Sequence, residues 1–271
     1  MRLFDNTWFN SVFKRSRENQ WIDYVMDQIN GSGKIYIDTL RIWFERFPVS
    51  NKHKKHLKNR LESFNNSDHL GGVNEIAWWE FINSLGWTAK PIDAGKGNTP
   101  DFNITKPEDF FCEITTLNMS EKERKLLGSV GVALDHNRSI KRIMKKVVSE
   151  KAGQIEYGAS RKRPSFLVLF DYSFPSHFET RFYYDLANFL FGDTLGFMKL
   201  PTELSGVVYV ERNVDIEGKI YISKDRSAVY HNPNSLYKVS DSVFQMIRQY
   251  KIQMKEIPAM VRQNEPVYWL S

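Results

Sequence analysis

Residues 99–115 read TPDFNITKPEDFFCEIT, and this stretch decides the fold. It holds two runs rich in β-branched and aromatic residues, which are typical of strands, separated by the Lys106-Pro107 dipeptide, which indicates a turn. Strands are predicted at residues 101–105 and 110–116. If the two strands form a hairpin about that turn, Asp101 and Glu113 fall near the same end of adjacent strands.

Helix and strand signals alternate on both sides of the hairpin. The segment NEIAWWEFINSLGW at residues 74–87 predicts a helix that ends at Gly86. The run FLVLF at 166–170 is continuously apolar, as in a strand buried on both faces of a parallel or mixed sheet. Further strands are predicted at 87–92, 206–212 and 219–223, and further helices at 137–157, 181–191 and 241–254. This alternation predicts an α/β fold.

The first 68 residues have a different sequence pattern, with three helical periodicities and no strand signal. Helices are predicted at 18–29, 37–47 and 53–64. The polar run Asn65-Asn66-Ser67-Asp68 then breaks the pattern. We therefore expect a helical accessory segment at 1–68 and an α/β domain with a C-terminal extension at 69–271. The third helix is basic and can contact a phosphate backbone, although such a charge run is more often a solvent-exposed face.

The charge balance favours a polyanionic partner. The chain has a formal net charge of +6 and a pI near 9.2. Residues 121–163 alone hold twelve basic and five acidic residues, so this segment carries +7 and the rest of the chain roughly cancels. Lysines and arginines gain affinity for nucleic acids by releasing counterions from phosphates. We expect DNA as the partner, with phosphate contacts from Lys141, Arg142, Lys145 and Lys146.

Other features narrow the class of protein. No run of eighteen apolar residues occurs and the N-terminus lacks a signal-peptide pattern, so we expect a cytoplasmic protein without a membrane partner. The single cysteine, Cys112, excludes an internal disulfide and a zinc finger. The stretch at 31–34 lacks the residues of a phosphate-binding loop. His53 and His56 have no evident third metal ligand, and we interpret them as surface residues.

The predicted hairpin offers a site for a hard cation. Phosphodiester hydrolysis requires a cation that polarises the phosphoryl oxygen and acidifies a water, and such cations prefer oxygen ligands. Asp101 and Glu113 supply two carboxylates, and the carbonyl of Ile114 is a third candidate ligand. Strand alternation places Thr115 on the same face as Glu113. Glu75 lies on or beside the apolar face of its helix. A buried carboxylate there is costly unless it has a partner, so it either pairs with another group or serves a function.

The order of these elements resembles the PD-(D/E)xK, or restriction-endonuclease-like, nuclease superfamily. The resemblance covers residues 68–174 and rests on four motifs. These are Glu75 on a helix, then Thr99-Pro100-Asp101-Phe102, then Phe111-Cys112-Glu113-Ile114-Thr115, and last Lys151-Ala152-Gly153-Gln154, which looks like the K-x-x-Q helix motif of several branches.

The resemblance implies a three-layer α/β/α core with a mixed central sheet and a metal-dependent DNA endonuclease activity. Asp101 and Glu113 would bind Mg²⁺ or Mn²⁺, Glu75 would support the metal through water, and Gln154 would contact a phosphate or orient the site. The motif lysine is replaced by Thr115, a substitution that also occurs within the superfamily. Lys151 is the expected substitute cation, and Lys96 is a weaker candidate.

Alternatives remain open at this level. Glu75 can instead be a first-turn acid that complements the helix dipole after Asn74 as cap. Lys151 and Gln154 can simply lie on a solvated helix. The protein can be a catalytically inactive nucleic-acid-binding module, or an interaction protein whose basic helix meets an acidic partner. RNA as substrate and a homodimeric state are also compatible with the sequence.

Overall fold

The computed structural model describes residues 1–14, 20–93, 98–118, 142–143, 145–172, 186, 190 and 200–250. Their strands form one seven-stranded mixed sheet in the order β1 to β7. The strands are β1 Thr88–Pro91, β2 Phe102–Lys106, β3 Phe110–Asn118, β4 Ser165–Tyr172, β5 Gly206–Val214, β6 Ile220–His231 and β7 Arg248–Tyr250. The pairs β3–β4, β4–β5 and β6–β7 are parallel, and the others are antiparallel. The α/β class and the mixed sheet are thus confirmed.

Within the described ranges, five complete helices precede the sheet in the chain, and another lies directly before β4. They are α1 Asn6–Phe13, α2 Gln20–Asp27, α3 Ser32–Arg46, α4 Asn51–Leu61, α5 Asn66–Ser84 and α6 Ala152–Ala159. A π-helical turn at Lys146–Glu150 leads into α6. The continuous helix predicted at 137–157 is therefore broken at Lys151, whose φ and ψ of −114° and 11° lie outside the helical region. The helix expected at 181–191 lies largely outside the described residues.

The two faces of the sheet contact different hydrophobic clusters. On β4, Val168 packs in one cluster with Ile76 of α5, whereas its neighbour Leu167 packs in a second cluster with Ile155 of α6. Helices thus cover both faces. The apolar strand predicted at 166–170 is confirmed as buried on both faces, which explains its unbroken hydrophobic sequence.

The polar run at 65–68 begins a helix rather than interrupting the fold. Asn65 caps α5, because its Oδ1 accepts hydrogen bonds from the backbone N–H groups of Ser67 and Asp68. The expected boundary at residue 68 therefore lies inside α5. Side chains from the N-terminal helices, such as Phe44 and Leu61, share one hydrophobic cluster with Phe102 of β2.

The helix predicted at 241–254 is wrong for the residues that the structure describes. A 3₁₀ turn at Asp241–Phe244 is followed by β7. Parallel pairing with β6 satisfies the backbone groups of β7, and Tyr250 stacks on Tyr230 of β6 at 4.9 Å between ring centroids. These long-range contacts outweigh the local helical pattern. No helix among the described residues is both long and apolar enough to cross a bilayer.

Candidate functional site

The hairpin of β2 and β3 brings Asp101 to the middle of β3. The register pairs Phe102 with Cys112, so Asp101 lies beside the next residue of β3, Glu113. The backbone N–H of Ile114 donates to Asp101 Oδ2 at 2.7 Å. The backbone carbonyl of Asp101 accepts from the N–H of Ile92 at 2.8 Å. Both strands that flank this residue therefore hold it in place, as the hairpin prediction required.

Glu113 is a buried carboxylate with only one of its oxygens engaged. The ammonium of Lys151 lies 2.5 Å from Glu113 Oε1. Glu113 Oε2 is buried and has no hydrogen-bond partner. An unsatisfied buried carboxylate oxygen is costly, and a cation that accepts oxygen ligands would relieve this cost. The donor set and the orphaned oxygen fit a divalent metal ion.

Close packing of the α6 N-terminus against the loop before β2 fixes this arrangement. The side chain of Asn98 lies so close to Gly153 that a Cβ on Gly153 would be 2.1 Å from Asn98 Nδ2. A Cβ at this position of the Lys151-Ala152-Gly153-Gln154 segment would therefore force the Asn98 side chain to move. The contact brings the loop that carries Asp101 next to the turn that carries Lys151.

Burial disfavours the ionised forms of both carboxyl groups. Burial raises the pKa of Asp101 well above its usual value, and the negative charges of Glu113 and Glu75 add to this effect. Burial also raises the pKa of Glu113, although the charge and hydrogen bond of Lys151 oppose the shift. Two ionised carboxylates would exceed the single positive charge of Lys151, so ionisation of Asp101 is disfavoured without a further cation. A bound divalent cation would lower both pKa values.

Glu75 has protein partners of its own on the helical side of the sheet. Its carboxylate accepts from His53 Nε2 at 2.9 Å and from Arg60 at 2.6 Å, both on α4. Burial alone would raise the pKa of Glu75, but these two partners outweigh it and lower the pKa. Because α5 begins at Asn66, Glu75 lies in the middle of the helix, and the alternative of a first-turn acid after an Asn74 cap is wrong.

His53 is another correction, because it is not a surface residue. Its side chain is 15 % exposed and lies between Glu75 and Asp93, whose Oδ1 is 3.3 Å from His53 Nδ1. The hydrogen bond with Glu75 raises the pKa of His53. Neither His53 nor Arg60 was expected at the site. The surplus of basic residues on α4 was the available signal, but only the packing of α4 on α5 directs these two side chains to Glu75.

The three carboxylates do not gather around one point. Alternation along β3 directs Glu113 toward the α6 face, whereas α5, which carries Glu75, packs on the opposite face. Asp101 lies at the strand edge between them. Accordingly, the described ranges contain no group of three or more His, Cys, Asp or Glu side chains arranged to hold a metal. A metal would instead rely on Asp101, Glu113 and the Ile114 carbonyl.

The remaining expected site residues lie around this pair. Thr115 is buried on the face of Glu113, two positions along β3, and Gln154 is partly buried on α6 one turn after Lys151. Lys145 and Lys146 both form ion pairs with Glu150, the former at 3.6 Å. Arg142 is helical and partly buried. Lys96 and Lys141 lie outside the described residues.

Comparison with models of known protein families finds no match, and searches among curated proteins and solved structures likewise find no significant similarity.

Proposed function

We propose that the chain is a metal-dependent deoxyribonuclease built on a restriction-endonuclease-like three-layer core. One observation supports this above all: Asp101 and Glu113 converge at the end of a hairpin, with one buried carboxylate oxygen unsatisfied and Lys151 against the other. The mixed sheet with helices on both faces is compatible with such a core. The proposed activity is hydrolysis of phosphodiester bonds with Mg²⁺ or Mn²⁺ bound by Asp101, Glu113 and the Ile114 carbonyl.

The residues divide the chemistry between them. A bound divalent ion supplies Lewis-acid polarisation of the phosphoryl oxygen and acidifies a water. Asp101 and Glu113 hold the ion, and the Ile114 N–H fixes the orientation of the Asp101 carboxylate. Lys151 takes the place of the motif lysine that Thr115 replaces, and its positive charge offsets the charge that develops on the phosphate. Gln154, one helical turn from Lys151, orients a phosphate oxygen.

The direct test is cleavage of plasmid and linear DNA by the purified full-length chain with Mg²⁺ or Mn²⁺. Asp101→Asn and Glu113→Gln keep side-chain shape but remove one charge each, so each is expected to lower the rate by about 10²-fold or more. Asp109→Asn is the matched control, because Asp109 is exposed and lies in the same hairpin. Metal-dependent cleavage at an unchanged rate by both site variants would contradict the proposal.

A second candidate, a non-catalytic nucleic-acid-binding module, is favoured by a specific contact. The Lys151–Glu113 ion pair already neutralises one of the two proposed metal ligands, and Thr115 carries no charge. This candidate predicts salt-sensitive DNA binding without products under any divalent metal. Measurement of binding and cleavage on the same DNA separates the two candidates. Failure to bind DNA or RNA at low salt would instead favour an acidic protein partner.

A further inference from the structure

A second concave site lies between the N-terminal helices, the first turns of α5 and the end of β5. It is an open pocket of about 700 Å³, within the size range of small-molecule sites. Its lining includes Trp21, Tyr24 and Tyr36 from the helices and Arg212 from β5. The proposed nuclease site makes no use of this pocket.

Arg212 is a buried cation held at the pocket by neutral groups. The residue is only 7 % exposed. The Nε–H group is shared between Asn74 Oδ1 at 2.9 Å and the Tyr172 hydroxyl at 2.7 Å. The Tyr172 hydroxyl in turn donates to Asn74 Oδ1 at 2.9 Å. These contacts fix the guanidinium plane before any ligand arrives.

The charge of Arg212 has no counterion within the described part of the chain. Its side-chain hydrogen bonds there go to the neutral groups of Asn74 and Tyr172, and one of its terminal nitrogens, Nη1, is buried without a hydrogen-bond partner. Burial raises the pKa of Tyr36 to about 12 and also raises that of Tyr172, so both neighbouring phenols are neutral. Burying a guanidinium without a counterion lowers the stability of the fold, and an oxyanion would relieve this cost. The planar guanidinium can donate two parallel hydrogen bonds to such a group.

We infer that this pocket binds a small organic anion in which a planar ring carries a phosphate or carboxylate group. Arg212 binds the oxyanion. Tyr24, which is 39 % exposed and lines the pocket, offers a ring face for stacking, and Gln28, one turn further along the chain, offers an amide for polar atoms of the ligand.

One group in the lining opposes an anion and thereby gives a sharp test. Asp215 lies at the pocket margin, and its Oδ1 accepts hydrogen bonds from the N–H groups of Glu217 and Lys219. Asp215→Asn keeps an acceptor for this turn and removes the negative charge. It is therefore expected to tighten anion binding by about threefold, the scale of one partly exposed charge.

The experiment is isothermal titration of the full-length chain with adenosine monophosphate, adenosine, inorganic phosphate and benzoate, all in EDTA so that divalent ions play no part. Adenosine monophosphate or benzoate is expected to bind, inorganic phosphate more weakly, and adenosine not measurably. The stronger of the two anionic ring compounds assigns phosphate or carboxylate as the preferred group. Measurable binding of adenosine that is as tight as that of its monophosphate, or binding absent for all four probes, would overturn the inference.

Variants then locate the binding event. Tyr24→Ala is expected to weaken binding at least about fivefold, as for loss of one stacking contact. Tyr221→Ala is the matched control, because Tyr221 is also exposed but lies outside the pocket lining.

Arg212→Gln is expected to abolish binding. If Arg212→Gln does not fold, Tyr24→Ala and Asp215→Asn decide, and binding unchanged in both variants would overturn the assignment. Glu113→Gln is expected to leave binding intact, which separates this site from the proposed nuclease site.

Discussion

The ammonium of Lys151 lies 2.5 Å from Glu113 Oε1, although 38 residues separate the two in sequence. Lys151 occupies the turn before α6, and Glu113 lies in the middle of β3. Thr115, at the position where the family resemblance would place a lysine, shares the face of Glu113. The turn before α6 thus places a lysine next to Glu113, although this lysine comes from another part of the chain.

Loss of the Lys151 charge should separate metal binding from turnover. Lys151→Gln is expected to lower the rate of DNA cleavage by about 10²-fold or more, because a positioned cation that stabilises developing charge contributes on that scale. Mg²⁺ binding measured by calorimetry should persist or tighten, since Lys151 no longer competes for Glu113. Lys224→Gln, at an exposed position of β6, is the control. Cleavage unaffected by Lys151→Gln would show that another group carries this role.

Asp101 should make the metal-free protein less stable as the pH rises. Because its pKa is raised in the folded state, the folded chain holds a proton that the unfolded chain releases. Its contribution to stability is therefore largest below the unfolded pKa, near about 3.9, and falls as the pH rises through the folded pKa. Asp101→Asn should melt at a higher temperature than wild type in EDTA at neutral pH, and Mg²⁺ should stabilise only the wild type.

Thermal melts with and without Mg²⁺ measure both effects. Asp225→Asn, at an exposed position of β6, is the matched control and should behave as wild type. A lower melting temperature of Asp101→Asn in EDTA would show that the carboxylate is satisfied by the protein alone. It would remove the electrostatic argument for a cation at this position.

The part of the site that was predictable from sequence is the part set by local pattern. A Lys-Pro turn between two alternating strands was sufficient to predict the β2–β3 hairpin, and the hairpin places Asp101 beside β3. The apolar run of β4 likewise predicted burial on both faces. In each case the sequence within about ten residues carries the information.

The part that was not predictable depends on tertiary contacts. β7 forms because it pairs with the edge of β6. The sequence near residues 248–250 contains no local pattern that predicts this pairing. Arg60 and His53 reach Glu75 only because α4 packs on α5. Arg212 meets Asn74 across 138 positions of sequence. Spacing along the chain cannot show such contacts.

Glu75 should control the titration of His53. The hydrogen bond with Glu75 is the largest cause of the raised pKa of His53, and burial acts against it. Glu75→Gln is therefore expected to bring the His53 pKa down, below the ordinary imidazole value if burial then dominates. NMR titration of the imidazole protons gives the measurement. Asp93→Asn should produce a smaller decrease, since Asp93 is exposed and 3.3 Å away. An equal decrease in both variants would contradict this ranking.

His69 should make the protein sensitive to acid. Its Nδ1–H donates to the Leu61 carbonyl at 2.6 Å, so Nε2 accepts from the Tyr36 hydroxyl at 2.8 Å, and Trp21 stacks on the ring at 3.4 Å. Burial lowers the pKa of this neutral imidazole to about 3. Between that value and about 6.5, only the unfolded chain gains the proton, and stability falls by about 1.4 kcal/mol per pH unit as the pH drops.

Urea unfolding at pH 7 and pH 5.5 measures this effect. His69→Gln is expected to be less stable than wild type at pH 7 but to lose less stability on acidification. His56→Gln, at an exposed position of α4, is expected to follow the wild-type dependence. The same loss of stability in His69→Gln as in wild type would assign the acid sensitivity to other groups.

Glu150 should weaken DNA binding by occupying two of the expected phosphate-binding lysines. Its carboxylate forms ion pairs with Lys145 and Lys146 in the π-helical turn. Glu150→Gln releases both ammonium groups, so DNA affinity at low salt is expected to rise. The slope of log K against log salt is expected to steepen by about 0.9 for each additional phosphate that the protein neutralises.

Glu156→Gln, which removes an exposed carboxylate from α6, is the matched control for net charge. A similar rise in affinity in both variants would indicate general attraction, whereas a rise specific to Glu150→Gln that Lys145→Ala reverses would place the phosphate backbone at this turn.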